Sequence, residues 1–579
     1  QGKIAGLDMT PSSGAVGSGF NFNVRGNRSL TASNAPLILV DGITYGSDIT
    51  INPNDIESIE VLKDASTTAI YGSRGANGVI IITTKKGKEG KTKVEFNAYA
   101  GPVMKTRMPD IMNAQQNVEF RREALRAVNN YTDDSAFLSS EELALLNSGV
   151  SIDWLDLVMQ NGFTQNYQAS ISGGTEKTQA SFSLDYQNEK GLLRGDLMDR
   201  YGGRLNVTHK MGKGFEVGAS MHINYRDQNS SPSGAYHYAR TYSPLAKPYN
   251  DDGSINRLPL YGSSSTSVNL LVDQDKKNYL NETKAYRFFG TGYLSWNIVK
   301  GLNYRTNLGV DLQSTTTGLF QGVNSSYSQS NGGRAYASKT ETHNNGYTWE
   351  NILTYSNDFG MHHLTAMAGH SMSKSHYESL TANGKGFAFD AVQYHNLTSA
   401  EADRNIGSSL TESSMLSFFG RIYYKLMDKY MLTLTMRADG SSVLAEGNKW
   451  GYFPSVAAAW RLKEESFLKD VDVVSDIKLR LSYGLSGNSA VGAYQTTGSL
   501  SGSYYDFNGV PAYGFRPYNL ANKDLKWEKT KVLNFGIDYG MFNNRLYTTI
   551  DIYKTWTSDL LLPMIIPGHT GFTEVIGNV

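Results

Sequence analysis

Residues 72–78 (GSRGANG) are the segment whose residue types most suggest chemistry, because closely spaced glycines let backbone N–H groups approach an anion such as phosphate. A phosphate-binding loop follows a strand and opens a helix. Here the pattern predicts the reverse order, with a short helix over 65–71 before the glycines and a buried strand over 77–85 after them. We therefore interpret 72–78 as a joint between two elements.

Two other clusters contain side chains that bind metals. Asp251 and Asp252 begin the sequence Asp-Asp-Gly-Ser, which is typical of a loop turn, with a surface Ca²⁺ site as the alternative. His362 and His363 are adjacent, and adjacent strand residues point to opposite faces, so this pair favours a turn over a metal site. We expect no cofactor, and a structural Ca²⁺ at Asp251 and Asp252 is the one metal candidate.

The sequence contains no catalytic pattern that we can identify. Neither Gly-x-Ser-x-Gly nor His-Glu-x-x-His occurs, and the absence of Cys excludes thiol catalysis, Cys-ligated zinc and disulfides. The 54 Lys and Arg residues balance the 54 Asp and Glu residues, so no charge excess points to nucleic acid as a partner. We expect a protein that is not an enzyme and does not bind nucleic acid.

Two regions of the chain differ in their pattern. Residues 1–90 are short mixed elements with glycine-rich joints, which predicts a small α/β unit. From Lys93 onward, apolar and polar residues alternate, as in 430–439, where Tyr430, Leu432, Leu434 and Met436 alternate with polar residues. We count about 15 such strands, commonly of roughly 10 to 15 residues, which is enough for a tilted strand to cross a bilayer.

The connections between the predicted strands are of two kinds. Tight turns at 210–214, 427–429 and 542–544 are typical of the periplasmic side of a membrane barrel. Longer polar segments are typical of its extracellular loops, and they lie near 228–283, 314–334, 380–412 and 488–525. A helical insertion is predicted near 113–159.

These patterns predict an all-β transmembrane barrel over residues 91–579. The longest apolar runs fall far below the roughly 18 residues of a spanning helix, so strands must do the crossing. A sheet in lipid must close, because unpaired backbone groups there cost several kcal/mol each. Barrels with a filled lumen typically have about 22 strands, so about 15 antiparallel strands predict a barrel that is incomplete at the C-terminus.

Residues 55–86 (DIESIEVLKDASTTAIYGSRGANGVIIITTKK) closely resemble the plug domain of TonB-dependent outer-membrane transporters of the SusC/RagA type. Residues 22–26 (FNVRG) and 36–42 (PLILVDG) resemble the same domain. Further resemblances to the family's barrel, in the same order along the chain, are 437–442 (RADGSS), 449–455 (KWGYFPS), 478–488 (KLRLSYGLSGN), 525–530 (LKWEKT) and 544–546 (NRL).

The resemblance implies a fold and a function. Residues 1–90 would form a plug domain, lacking its N-terminal part, inside the lumen of the barrel. The protein would be a multi-pass barrel in the outer membrane of a Gram-negative bacterium of the Bacteroidota, in contact with lipid and lipopolysaccharide. We expect the TonB box and signal peptide to precede Gln1 and the remaining strands to follow Val579.

The implied activity is TonB-dependent import of oligosaccharides (glycans). TonB, with ExbB and ExbD, would supply the energy, and a SusD-like surface lipoprotein would be the partner of the transporter. Peptide import by the same mechanism, as in RagA-like members, is one alternative. A passive porin or adhesion barrel is a second, and a soluble secreted carbohydrate-binding or hydrolytic protein is a third. A separately folded unit in the lumen argues against a porin.

Two groups of residues are candidate sites within this interpretation. Arg25 and Arg74 are plug cations that we expect to face carboxylates on the inner barrel wall, in contacts that a pull could break. Aromatic residues in the long loops are candidate ligand contacts, because the apolar face of a sugar stacks on a planar ring. These are Tyr236, Tyr238, Tyr242, Tyr249, Tyr504, Tyr505, Phe507, Tyr513 and Tyr518.

Overall fold

The computed structural model describes residues 4–30, 33–259, 268–328, 331–489 and 491–579. Residues 1–3 and 31–32 of the predicted plug lie outside the described residues. So do residues 260–267, 329–330 and 490, which belong to the loops predicted near 228–283, 314–334 and 488–525.

The N-terminal unit, called the plug below, is built on a mixed sheet. Its strand order is β4-β3-β6-β5, with β3 parallel to β6 and the other neighbours antiparallel. Most side chains on both faces of the central strands are buried, which explains the continuous apolar sequences LILV in β3 and VIII in β6. The plug elements are β1 (Leu7–Pro11), β2 (Phe20–Val24), β3 (Leu37–Val40), β4 (Ile43–Tyr45), β5 (Ile56–Leu62), α1 (Ala65–Thr68) and β6 (Val79–Thr84).

Fifteen strands after the plug form one antiparallel sheet, called the barrel wall below. Each strand pairs with the next one along the chain, except that β19 pairs with β22 across an inserted hairpin. The strands of the wall are β7 (Gly90–Val103), β8 (Gly162–Gly174), β9 (Thr178–Lys190), β10 (Leu197–Gly212), β11 (Phe215–Asn229), β12 (Tyr279–Val299), β13 (Leu302–Gln321), β14 (Tyr336–Phe359), β15 (His362–Phe387), β16 (Ala400–Leu426), β17 (Tyr430–Ser441), β18 (Trp450–Arg461), β19 (Val474–Asn488), β22 (Glu528–Met541) and β23 (Leu546–Ser558).

The alternation of side chains along the wall is apolar outside and polar inside. On β17, Leu432, Leu434 and Met436 are exposed on the outer face, whereas Arg437 and Asp439 on the inner face are buried. A membrane-facing sheet around a polar lumen requires this arrangement, and a soluble sandwich would show the opposite one. The predicted fold class, a transmembrane barrel with a plug inside it, is confirmed.

Short and long connections lie at opposite edges of the wall. The turns between β10 and β11, β16 and β17, and β22 and β23 share one edge, called the short-turn edge. The opposite, long-loop edge carries the connection between β11 and β12 and the segment after β19. That segment contains a hairpin of β20 (Leu500–Phe507) and β21 (Val510–Pro517), and a second hairpin, β24 (Leu561–Ile565) and β25 (Glu574–Asn578), follows β23.

The predicted limits of the loop near 380–412 are wrong. Strand β15 continues to Phe387 and β16 begins at Ala400, so only residues 388–399 connect them. The backbone ladder continues through this polar stretch, with one register shift at Asn383 and Lys385. Similarly, β13 reaches Gln321, beyond the predicted loop start at 314. Strands β13 and β15 both extend beyond the stretch in which their outer face is apolar. In these extensions, the alternation of apolar and polar residues no longer indicates a strand.

A helical lobe covers part of the long-loop edge. Its core contains Trp154, Leu155 and Leu271, which are buried together with Ala239. Asn113 and Ser139 each form a capping box at the start of a helix. The helices of the lobe are α2 (Ala114–Ala127), α3 (Ser140–Asn147), α4 (Trp154–Val158) and α5 (Ala235–Thr241), and α6 (Ser466–Lys469) lies in the connection between β18 and β19. Within the described ranges, no helix has the length and hydropathy needed to span a bilayer.

Candidate functional site

The interface between the plug and the inner face of the wall is lined by polar side chains. Asp55, at the end of a single helical turn, accepts hydrogen bonds from Gln168 Nε2 at 2.8 Å and Ser183 Oγ at 2.9 Å. Burial raises the pKa of the Asp55 carboxyl above its ordinary range, and these two hydrogen bonds oppose the rise. Asn52 beside it donates to Asn166 Oδ1 at 3.3 Å. One corner of the plug is therefore held by hydrogen bonds to β8 and β9.

Two wall arginines, Arg204 on β10 and Arg287 on β12, reach the plug from either side of β11. Arg204 donates to Thr84 Oγ1 at 2.5 Å and to the Lys85 carbonyl at 2.6 Å, where the plug leads into the wall. Arg287 forms a bidentate pair with Asp311 at 2.8 and 2.9 Å. Arg287 also donates to the carbonyl of Asp48 at 2.7 Å, and its guanidinium lies 3.5 Å from the ring centroid of Tyr45. These pairings satisfy the buried cations and fix the plug's position.

The glycine-rich segment meets the wall at Asp439. The backbone N–H of Ser73 donates to Asp439 Oδ2 at 2.8 Å, and Arg437 Nε donates to Asp439 Oδ1 at 2.6 Å. Arg437 also donates to the plug carbonyl of Ile70 at 2.5 Å. The side chains of Arg437 and Asp439 are 3% and 0% exposed. We call this set of contacts the Asp439 latch, and it shows that 72–78 is a joint that a wall carboxylate holds.

A second cluster, called the Arg480 network, joins the plug to β19, β22 and β23. Arg480 pairs with Asp538 at 2.9 Å, with Asp551 at 3.0 Å and with the plug's Asp64 at 3.3 Å. Arg25 of the plug pairs with Asp64 at 3.0 Å and lies 3.7 Å from Asp551. Only 4% of the Arg25 side chain is exposed. The structure thus places Arg25 close to a wall carboxylate, and its role in holding the plug stays a prediction.

The position predicted for Arg74 is wrong in one respect. Arg74 faces the wall, but no carboxylate of the described residues lies within 4.0 Å of its guanidinium. Its hydrogen bond goes to Thr44 Oγ1 of the plug at 3.0 Å. The reason is that the nearby Asp439 already accepts from Ser73 and Arg437.

The predicted ligand-contact aromatics fall into two groups. Tyr504, Tyr505, Phe507, Tyr513 and Tyr518 are strongly exposed on or beside the β20–β21 hairpin, and Tyr504 is 75% exposed. Tyr238 and Tyr249 are also exposed. Tyr236 and Tyr242 instead pack in the helical lobe, where the ring of Tyr242 lies 4.3 Å from that of Trp154. Both residues are half-buried, because the lobe packs against their apolar surface, and a ligand contact at either one stays a prediction.

Asp251 and Asp252 form an ordinary loop turn. Asp251 Oδ1 pairs with Lys247 Nζ at 2.5 Å, and Asp252 Oδ1 accepts from the backbone N–H and the hydroxyl of Ser254 at 2.9 and 2.6 Å. The hydrogen bonds from Ser254 lower the pKa of Asp252. In the part of the chain that the structure describes, no three His, Asp or Glu side chains form a metal-binding group.

Sequence reasoning did not single out the wall residues that hold the plug. Asp311, Asp439, Arg480 and Asp551 occupy inward positions of strands, where any polar residue satisfies the alternation. The available signal is their charge, because a charged side chain that a plug covers must be paired or hydrogen-bonded. A charged residue at an inward position was therefore a candidate partner for the plug.

Two family descriptions match this chain. Residues 238–574 match the TonB dependent receptor-like β-barrel, and residues 1–79 match the TonB-dependent receptor plug domain. The first match alone spans more than half of the chain. The barrel match includes Arg437 and Asp439 of the latch. The plug match includes the glycine-rich segment 72–78.

Individual relatives and solved structures agree. The chain is 34% identical to TonB-dependent receptor P26 of Formosa agariphila, across 100% of this chain and 58% of that protein. It is 30% identical to TonB-dependent receptor SusC of Bacteroides thetaiotaomicron, across 100% of this chain and 59% of that protein. The solved structure of the RagAB peptide transporter superposes with a TM-score of 0.89 at 28% identity, covering 100% of this chain and 67% of that one. The chain therefore spans a little over half the length of these two curated relatives.

Proposed function

This chain belongs to the TonB-dependent receptor family of outer-membrane proteins, of the SusC and RagA type, and from this we propose that the whole protein actively imports oligosaccharides. The energy for import comes from TonB with ExbB and ExbD. A SusD-like surface lipoprotein shares substrate capture, and the host is a bacterium of the Bacteroidota.

The observation that carries the proposal is the chemistry of the plug contacts. The plug is held in the lumen by the Asp439 latch and the Arg480 network, which are hydrogen bonds and ion pairs. Such contacts can exchange for water when the plug moves, whereas a continuous apolar interface would expose hydrophobic surface. A plug that is held in this way suits a lumen that opens under a pull and closes again.

Oligosaccharide import is supported by the aromatic hairpin at the long-loop edge. Tyr504, Tyr505 and Tyr513 present exposed rings there, and such rings stack on the apolar faces of sugars. The second candidate is peptide import, and the observation that favours it is the likeness to the RagAB peptide transporter. A passive porin is disfavoured, because a porin needs no separately folded domain held in its lumen.

The proposal is tested by uptake in the native host. Cells that contain the full-length protein and the SusD-like surface lipoprotein receive fluorescent oligosaccharides or fluorescent peptides of equal size. We expect oligosaccharide uptake that is lost when this protein or TonB is deleted. Uptake that persists without TonB would overturn active transport, and TonB-dependent uptake of peptides alone would replace oligosaccharides with peptides as the substrate.

Co-purification tests the partner. We expect the full-length protein in mild detergent to carry a surface lipoprotein in a fixed ratio, and deletion of that lipoprotein to reduce uptake. A protein that purifies alone and imports at the full rate without the lipoprotein would contradict the partnership.

A further inference from the structure

A polar cavity of about 390 Å³ lies between the plug and the wall. The cavity reaches the long-loop edge. Its lining includes Val443 and Val491, which follow the C-terminal ends of β17 and β19 at that edge. Its volume falls within the roughly 300–1,000 Å³ of small-molecule sites. Serine and threonine hydroxyls are frequent in its lining, and they include those of Thr44, Thr348, Ser373, Ser375, Ser413 and Ser441.

Arg74 is the plug cation of this cavity. Its Nη1 donates to Thr44 Oγ1 at 3.0 Å, and its buried Nε has no hydrogen-bond partner among the described residues. A guanidinium has five N–H donors and stays protonated, so Arg74 retains unused donors and a full charge. A buried polar donor without a partner is unfavourable, so an acceptor that enters the cavity and reaches this guanidinium would be bound favourably.

The carboxylates nearest to the cavity do not neutralise Arg74 by contact. Asp311 lines the cavity but is held in a bidentate pair by Arg287. Asp439 is engaged in its latch, and Glu350, two residues beyond Thr348 on the inner face of β14, is outside ion-pair distance. Burial and the neighbouring Arg437 cation lower the pKa of Arg74, while Glu350 and Asp439 act in the opposite direction. The charge of Arg74 therefore lacks a contact partner, although two carboxylates lie farther away.

We propose that this cavity binds an anionic group, a carboxylate or a sulfate, carried by the imported oligosaccharide. Arg74 is its direct ligand, and the serine and threonine hydroxyls donate further hydrogen bonds. The second cation of the lining, Lys374, already pairs with Glu412 at 2.8 Å and contributes less. This inference rests on the proposed function and narrows its substrate to acidic oligosaccharides.

The test uses pairs of probes whose main difference is charge. The full-length protein with its lipoprotein is titrated calorimetrically with tetragalacturonate and with its methyl ester, and a sulfated and an unsulfated galactan tetrasaccharide form a second pair. We expect the charged member of at least one pair to bind roughly ten- to hundredfold more tightly than its uncharged counterpart. Equal affinities within both pairs, or no binding of any probe, would overturn the proposal.

Variants locate the effect at Arg74. Arg74→Gln should abolish the preference for charge, Arg74→Lys should retain part of it, and Glu350→Gln should strengthen it by removing an opposing charge. Arg126→Gln, an exposed change on α2, is the matched control and should leave the preference unchanged. Resistance of the plug to trypsin verifies that each variant is folded. A folded Arg74→Gln protein that keeps the full preference would exclude Arg74 as the ligand.

Further arms separate this inference from the proposed function. Tetra-alanine with a free or an amidated C-terminus tests a peptide carboxylate, and a preference for the free peptide alone would overturn the oligosaccharide source. TonB deletion tests transport independently, because it changes uptake without changing binding to the purified complex. Loss of charge preference with TonB-dependent uptake intact would contradict only the inference.

Discussion

The backbone N–H of Ser73 donates a hydrogen bond to Asp439 Oδ2 across 2.8 Å, although 366 residues separate them in the chain. The contact brings the plug backbone directly against the wall. Gly72 makes this approach possible, because a Cβ at that position would overlap Asp439 and Arg437. Gly72 also has φ 57° and ψ −133°, a conformation that side chains disfavour.

The first prediction concerns Gly72. Gly72→Ala should destabilise the seated plug by about 1–3 kcal/mol beyond the cost of its positive φ, because the added Cβ forces the latch apart. Gly42→Ala is the matched control, since Gly42 is also in the plug and has φ 89°, but a Cβ there meets no atom within 4 Å. We expect Gly42→Ala to cost only about 1 kcal/mol. Chemical unfolding of the full-length protein measures both, and equal costs would contradict the steric role of the latch.

The second prediction concerns the contact between Arg25 and Asp551. A double-mutant cycle with Arg25→Gln and Asp551→Asn should give a coupling of about 0.5–3 kcal/mol for retention of the plug, because the two charges are mostly buried. Asp538→Asn is the control, since Asp538 pairs with Arg480 and Lys478. Retention is measured as the urea concentration at which the barrel begins to conduct ions in a planar bilayer. A coupling of Arg25 to Asp538 as large as that to Asp551 would contradict a specific contact between Arg25 and Asp551.

The outward face of the wall and the strand count follow from local pattern, but the plug contacts do not. Alternation over 430–439 predicts that Leu434 faces out and Asp439 faces in, because the pleat of a strand alternates side chains in any surroundings. The pairing of Asp439 with Ser73 depends on the register of many strands and on the position of the plug inside the barrel wall. No short segment of sequence encodes either one.

The errors have physical causes of the same kind. Residues 380–387 contain two glycines and lack a regular alternation of apolar and polar residues, so they look like a loop, yet backbone pairing with β16 continues because it needs no apolar side chain. Tyr242 looks like the other loop tyrosines, but the lobe folds over it. The order of helix, glycines and strand identified the joint at 72–78, whereas the lack of a contact carboxylate at Arg74 depends on the partners of Asp439.

The third prediction is a pH dependence at Asp55. Burial raises the pKa of this carboxyl above its ordinary value of 3.8. The folded protein therefore binds the proton more tightly than the unfolded chain does, and stability falls as the pH rises from 3.8 through the folded pKa. Asp55→Asn removes this titration, so its thermal midpoint should fall less than that of the wild type between about pH 4 and pH 7.

Asp134 provides a control of opposite sign. Hydrogen bonds from Arg122 lower the pKa of Asp134, so its contribution to stability is present above the ordinary pKa and is lost as the pH falls. Asp134→Asn should therefore weaken the loss of stability on acidification. Identical pH profiles for Asp55→Asn and the wild type would contradict the raised pKa of Asp55.

The fourth prediction separates exposed from packed aromatics. Tyr504→Ala should change the free energy of unfolding by less than about 0.5 kcal/mol while weakening oligosaccharide binding several-fold, because its ring is exposed. Tyr242→Ala should instead destabilise the protein by about 1–3 kcal/mol, because its ring packs on Trp154. Calorimetry and thermal unfolding measure the two effects. Unchanged binding by Tyr504→Ala would remove the hairpin residue from the ligand site.

The central claim is that the plug must move within the wall for import to occur, and a reversible crosslink tests it most directly. The described chain has no cysteine, so Asp55→Cys with Ser183→Cys introduces one pair across the interface, and each single cysteine variant serves as a control. We predict that oxidation stops uptake in the double variant alone and that a reductant restores it. Full uptake through a plug shown to be crosslinked would contradict the account.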